Sequence, residues 1–137
     1  MEPTVIAASP FPALVAWSMV LLVFQICLHG MLVTRELGSA WNAGPRDGEA
    51  QPKGVLVGRA GRASKNLQET YPAFVGLALG LAIVGDPSGW GLIGAWIWFA
   101  CRLVYIPLYL AGIPYIRSLV WLGALLGLAV MGLVLIF

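Results

Sequence analysis

The chain closes with an uninterrupted apolar stretch at residues 118–137, which reads SLVWLGALLGLAVMGLVLIF and carries no charged side chain. A helix needs about 20 predominantly apolar residues to cross the hydrocarbon core of a bilayer, so this stretch is long enough to span it. Hydrophobic residues make up 60% of the whole chain. Charged residues make up only 10%, against roughly 25% in a typical soluble domain. The sequence therefore predicts a protein whose solvent is lipid.

Three further apolar segments precede this stretch. The predicted spans lie at about residues 11–33, 55–84, 90–110 and 117–137. The segment 34–54 is predicted to be a loop, because it is polar and rich in Gly, Pro and Asn. We therefore expect residues 1–137 to form one all-α domain, an integral membrane four-helix bundle.

Basic residues are concentrated in the connections on one side of this predicted bundle. The first connection and the start of the second span are rich in Lys and Arg, the third connection ends at Arg117, and the middle turn has only Asp86. The positive-inside rule then places the first and third connections, with loop 34–54, in the cytoplasm. The segment Met1-Glu2-Pro3-Thr4 has no basic residue, so we expect the first span to remain as a membrane helix instead of being cleaved as a signal peptide. The net charge of +2 is too small and dispersed to indicate a nucleic-acid partner.

Two of the predicted spans carry a polar stripe at helical spacing. Residues three, four or seven positions apart share one face of a helix. The second span contributes Arg62, Asn66 and Glu69, and the third contributes Arg102, Tyr105 and Tyr109. Counting the helical rise from the middle turn puts Glu69 between Arg102 and Tyr109 in depth. We therefore expect a polar pocket in the cytoplasmic third of the bundle, with Arg117 at the same end.

An ionisable side chain inside a membrane span is by default a functional-site hypothesis, and Arg102 is the clearest example here. Arginine binds carboxylates and phosphates through its planar fork, and it can also stabilise a thiolate. A small anionic ligand that carries carboxylates and a thiol would suit such a pocket. The spacing leaves an alternative open, in which Arg102 and Glu69 form an interhelical ion pair that only fixes the bundle.

The remaining features are interpreted as packing or surface features. His29 has no second ligand beside it in the sequence, so we expect no metal site and take this residue as an interfacial or packing side chain. Arg59 is interpreted as a contact to lipid head-groups. The patterns Gly76-x-x-x-Gly80 and Gly123-x-x-x-Gly127 permit close contact between membrane helices.

Three motifs resemble the MAPEG family, the membrane-associated proteins in eicosanoid and glutathione metabolism. The segment RASKNLQETYPAF at residues 62–74 is similar to the signature of the family's second helix. The other two motifs are Arg102-Leu103-Val104-Tyr105 with Tyr109, and the Arg117-Ser118 pair. The short chain and the Gly-Ile-Pro-x-x-Arg-Ser turn at 112–118 resemble the bacterial branch. One departure is Thr70, which stands where some eicosanoid enzymes of the family have a tyrosine.

The resemblance implies a homotrimer in a membrane, here the bacterial inner membrane, with glutathione held between neighbouring subunits near the cytoplasmic side. The residues that it assigns to the glutathione backbone are Arg62, Asn66 and Glu69. Those that complete the glutathione site are Arg102, Tyr105 and Tyr109. The catalytic pair that it implies is Arg117, which stabilises the thiolate, and Ser118 beside it. The other partners implied are membrane lipids and a lipophilic small molecule.

The activity implied by the resemblance is that of a glutathione-dependent membrane enzyme of the transferase or peroxidase type. Its second substrate would be a lipophilic electrophile or a lipid hydroperoxide. The alternative is a non-catalytic membrane scaffold or accessory subunit, which keeps the pocket for a lipid or for structural ion pairing.

Overall fold

A computed structural model describes residues 9–48 and 50–137 of the chain. Its elements are α1 Phe11–Leu37, α2 Ser39–Ala43, α3 Val55–Val84, α4 Trp90–Leu110 and α5 Ile116–Ile136, and no strand occurs in these ranges. The helices α1, α3, α4 and α5 are long and apolar enough to cross a membrane. The predicted all-α membrane four-helix bundle is confirmed. The segment at residues 1–4, used above to argue that the first span is not cleaved, lies outside the described residues.

The first helix continues past its predicted end near residue 33 and reaches Leu37. The charged residues Arg35 and Glu36 do not end it, because both are good helix formers and a cation is favoured in the last turn. Gly38 ends the helix with a φ of 96°, a conformation that favours glycine. The predicted loop 34–54 is therefore shorter, and it contains the short helix α2. Helix α5 begins one residue before the predicted start, at Ile116.

The helices pack as two pairs, α4 with α5 and α1 with α3, and α3 joins the two pairs. The most extensive contacts join α4 to α5, then α1 to α3, while α3 also touches both α4 and α5. The crossing of α4 and α5 is close because glycines face each other: a Cβ built on Gly127 would lie 2.5 Å from the Gly94 carbonyl oxygen. Small residues at a crossing allow such an approach between membrane helices. A Cβ on Gly76, in contrast, would meet nothing within 4 Å.

Aromatic side chains fill the centre of the bundle. Phe74 of α3 stacks on Trp98 of α4, with ring centroids 3.9 Å apart and planes 8° from parallel. Tyr71 lies against both rings, and its hydroxyl shares a 2.8 Å hydrogen bond with the Ser18 hydroxyl of α1. These contacts fix how α1, α3 and α4 are rotated against one another, which decides where their polar stripes point.

A carboxylate binds backbone N–H groups at each end of the bundle. The turn end comprises residues 85–89 with the start of α1 and the end of α5, and the loop end comprises residues 38–54 and 111–115. At the turn end, Asp86 accepts hydrogen bonds from the N–H groups of Gly91 at 3.1 Å and Leu92 at 2.8 Å. At the loop end, Glu36 accepts from the N–H groups of Lys53 and Gly54, both at 2.9 Å. Each carboxylate thereby satisfies free N–H groups at the start of a helix.

Candidate functional site

Polar side chains from three helices surround one cavity at the loop end. Its volume is about 340 Å³. The lining residues are Arg62 and Asn66 of α3, Tyr105 and Tyr109 of α4, and Arg117, Ser118 and Trp121 of α5. Apart from Trp121, every one of these residues was assigned to the site from the sequence. Trp121 was missed, although it follows Arg117 by four positions and so shares its face of α5.

Tyr109 brings two guanidinium groups together at the wall of this cavity. Arg62 donates a hydrogen bond from Nε to the Tyr109 hydroxyl at 3.1 Å. Arg117 lies over the face of the same ring, with Cζ 4.8 Å from the ring centroid, a cation–π contact. Two positive charges on one phenol make this wall suitable for an anion, because each guanidinium keeps N–H groups that Tyr109 does not use.

The turn between α4 and α5 returns Arg117 to Tyr109. Helix α4 ends at Leu110, and Gly112 reverses the chain with a φ of 73°. The Arg117 N–H then donates to the Pro114 carbonyl oxygen at 2.8 Å, and Arg117 lies in the first turn of α5. The position of Arg117 is therefore set by the conformation of this turn.

Arg102 lies in the layer behind the cavity wall and is not among the residues that line the cavity. Only 1% of its surface is exposed. It donates from Nη1 to Oδ1 of Asn66 at 2.8 Å, and its Cζ lies 4.4 Å from the centroid of the Tyr105 ring. Because Asn66 Oδ1 is occupied, the N–H groups of that amide are left for a ligand. Arg102 thus orients two residues of the wall.

The ion pair between Arg102 and Glu69, considered above as an alternative, is not formed within the chain. The Nε and Nη2 atoms of Arg102 are buried without a hydrogen-bond partner among the described residues, and Glu69 is exposed. The rotation of α3 explains the difference, because it presents Asn66 to Arg102 of α4 and leaves Glu69 exposed. A buried donor without a partner costs about 1–3 kcal/mol. Arg102 is therefore under-satisfied within one chain.

Comparison with known families finds a match along nearly the whole chain. The model of the MAPEG family matches residues 14–137, a range that includes every residue of the candidate site. No curated protein and no solved structure was matched. Together with the four apolar helices, the match shows a multi-pass membrane protein from a family of eicosanoid and glutathione metabolism. The chain belongs to the MAPEG family.

Proposed function

We propose that this protein is a glutathione-dependent membrane enzyme of the transferase or peroxidase type, with a lipophilic electrophile or a lipid hydroperoxide as its second substrate. The observation that carries the proposal is the convergence of Arg62 and Arg117 on Tyr109 at the wall of one cavity. Glutathione has two carboxylates and a thiol, and each of these groups is stabilised by a cation when ionised. Membership of the MAPEG family supports the same ligand.

The residues around the cavity suggest which group of glutathione each of them would bind. Arg62 and the free N–H groups of Asn66 would bind a carboxylate, because both are donors that remain available after their contacts within the chain. Glu69 would contribute from the edge of α3, where its carboxylate can accept from the glutathione ammonium group. Arg117 would stabilise the thiolate, and the Ser118 hydroxyl would donate to the sulfur.

The chemistry follows from the thiolate, which is the nucleophilic form of the thiol. With an electrophile, the sulfur forms a bond to carbon while a leaving group departs with the electron pair. With a lipid hydroperoxide, two glutathione molecules give up two electrons and form a disulfide. The hydroperoxide becomes an alcohol, and the second oxygen leaves as water. In both reactions the cation beside the sulfur increases the thiolate fraction.

We also propose that a homotrimer completes this site. Lys65 and Glu69 are exposed on a membrane-spanning helix, where an ionisable side chain without a partner is unfavourable. A second copy packed against this edge of α3 would cover these exposed charges and offer them partners. The number three comes from the resemblance to the family.

Isothermal calorimetry on detergent-purified protein tests the glutathione site. We expect glutathione to bind to the wild type, and we expect Arg62→Met to weaken binding by roughly tenfold to a hundredfold, the loss of a charge-assisted hydrogen bond. Arg46→Met, on the exposed loop, is the matched control and should bind as the wild type does. Arg117→Met should keep most of the binding and lose the ultraviolet absorbance of the bound thiolate. Absence of both heat and thiolate absorbance in the wild type would contradict the proposal and favour the scaffold alternative.

The proposed orientation puts the first and third connections in the cytoplasm of a bacterial cell, with the helices in its inner membrane. Single cysteines introduced at Gly48 and Ser88 test it, in a chain whose free Cys27 and Cys101 are replaced by serine. A membrane-impermeant maleimide added to intact spheroplasts should label position 88 and leave position 48 unlabelled. The reverse pattern would overturn the orientation.

A further inference from the structure

Arg59 binds the end of α4, one helical turn before Arg62 on α3. Its Nη1 donates to the carbonyl oxygen of Leu110 at 3.1 Å, and Leu110 is the last residue of α4. Carbonyl groups in the last turn of a helix have no partner within it, and a cation there is favourable. Arg59, which was interpreted from the sequence as a contact to lipid head-groups, thus makes a contact within the chain and lies half-buried.

Gly112 brings the backbone of the following turn against the same guanidinium. A Cβ built on Gly112 would lie 2.6 Å from Nη2 and 2.7 Å from Cζ of Arg59, so a side chain at this position would displace the guanidinium. The φ of 73° at Gly112 is a second reason for glycine at this position. Arg59 thus contacts both the last carbonyl of α4 and the residue at which the chain reverses.

The turn that Arg59 holds is the turn that delivers Arg117 to the cavity. Arg117 follows Gly112 by five positions, and its guanidinium lies over Tyr109, whose hydroxyl accepts from Arg62. Successive turns of α3 therefore contact adjacent residues at the end of α4: Arg62 reaches Tyr109, and Arg59 reaches Leu110. Arg59 is absent from the cavity lining, so it acts on the site only through the turn.

We propose that Arg59 is a positioning residue: by holding the Leu110 carbonyl and the Gly112 backbone, it keeps the Arg117 guanidinium over Tyr109, where the thiolate of a bound thiol ligand would lie. The inference rests on the proposed function for its effect on catalysis. The positioning of Arg117 itself does not depend on the identity of the ligand.

Kinetics on the purified full chain separate positioning from binding, with glutathione and a chlorodinitrobenzene as probe substrates. Arg59→Met should lower kcat and the thiolate absorbance by roughly tenfold to a hundredfold, since small displacements of a catalytic group have effects of that size. The dissociation constant for glutathione should change by less than about twofold, since Arg62 and Asn66 are left in place. Arg59→Lys should recover part of kcat, because an ammonium can still donate to the Leu110 carbonyl.

Gly112→Ala tests the same contact from the other side. The added methyl group displaces the guanidinium, so this variant should reproduce the loss of kcat seen in Arg59→Met. Combining the two substitutions should lower kcat no further, because both remove one shared contact. Multiplication of the two effects in the double variant would overturn the proposal. If Gly112→Ala does not fold, the comparison of Arg59→Met with Arg59→Lys decides the question alone.

Arginine side-chain NMR gives a readout that does not need glutathione. The Nε–H signal of Arg117, assigned by its loss in Arg117→Lys, should be shifted by the Tyr109 ring. We expect Arg59→Met to move this signal and Arg46→Met to leave it unchanged. A moved signal in a protein that binds no glutathione would support the positioning role while contradicting the proposed function. An unmoved signal together with unchanged kcat would overturn the positioning role.

Discussion

Two regions of this helical bundle differ in how their polar groups are satisfied. At the turn end, Asp86 has both carboxylate oxygens occupied by the N–H groups of Gly91 and Leu92. Behind the cavity wall, Arg102 is 1% exposed yet two of its donor atoms have no partner among the described residues, and the carboxylate of Glu69 is exposed. The turn end has satisfied its carboxylate locally, whereas the region around the cavity has left two buried donors without a partner.

The difference separates residues that support the fold from residues that belong to the candidate site. A carboxylate that accepts from the N–H groups at a helix start stabilises the fold. A buried guanidinium with free donors lowers stability, and natural proteins tolerate such groups mostly at functional sites. The close crossing of Gly94 and Gly127 likewise supports the fold, because these glycines have no side chain and contribute only to the packing of α4 against α5.

The largest effect is expected at the close crossing of α4 and α5, where an added side chain has no space. Gly127→Ala places a methyl group 2.5 Å from the Gly94 carbonyl oxygen and 2.8 Å from the Trp98 nitrogen. Both neighbours are backbone atoms, so α4 and α5 must separate, and we expect a loss of about 3 kcal/mol in the free energy of unfolding, the upper end of overpacking effects. Denaturation in detergent micelles measures it. Gly76→Ala is the control, because a Cβ there meets nothing within 4 Å and alanine favours the helix.

Equal stability of the two glycine variants would break the comparison, because it would show that the α4–α5 crossing yields without cost. The α4–α5 crossing would then be as adaptable as the region around the cavity. The packing of these two helices would no longer explain the rotation of α4 that places Arg102 behind the cavity wall.

The second effect is expected at Arg102, and it should separate function from stability. Arg102→Met removes the donor that orients Asn66 and the cation over Tyr105. We expect glutathione affinity to fall by about thirtyfold, equivalent to about 2 kcal/mol, as for a lost hydrogen bond to a charged group. The melting temperature should be retained or rise, because an apolar side chain replaces an under-satisfied buried charge. Calorimetry and thermal unfolding on one preparation measure both quantities.

A variant at position 102 that keeps its affinity but unfolds at lower temperature would reverse the assignment. Arg102 would then be a cation that supports the fold and has no part in the glutathione site.

The architecture could be predicted from the sequence because length and hydropathy decide it. Four apolar segments must span, and turns such as 85–89 can only lie at their ends. The end of α1 was predicted too early, because the polar segment that begins at residue 34 was taken as the end of the helix. In the structure the helix instead ends where Gly38 adopts a positive φ. Charge marks where a span leaves the apolar phase, whereas backbone conformation marks where a helix stops.

The site could be predicted as a set of residues but not as an arrangement. Helical spacing places Arg62, Asn66 and Glu69 on one face, and counting the rise gives their depth. Neither quantity fixes the rotation of α3 about its own axis, which is set by packing such as the stack of Phe74 on Trp98. For this reason the sequence left an ion pair of Arg102 with Glu69 open as an alternative, whereas the partner of Arg102 within the chain is Asn66.

Trp121 and Arg59 were missed for a related reason. Both residue types are common at the membrane surface, so a default interfacial assignment fits each of them in isolation. Their actual contacts depend on how the turn after α4 folds back, which no spacing rule describes. The one sequence signal for this turn is Gly112, where the positive φ is found.

The smallest of these effects should come from the turn end itself. Asp86→Ala removes the acceptor for the N–H groups of Gly91 and Leu92, and loss of such a helix cap costs about 1 kcal/mol of unfolding free energy. Asp86→Asn keeps one oxygen acceptor and should lose roughly half as much.

Glutathione affinity should not change in either variant of Asp86, because the cap and the cavity share no residue. The stability losses of Asp86→Ala and Gly127→Ala should add, since the two contacts are independent. A tenfold fall in glutathione affinity in Asp86→Ala would mean that the capped start of α4 controls the cavity at its other end. The residues that support the fold could then not be separated from the residues of the site.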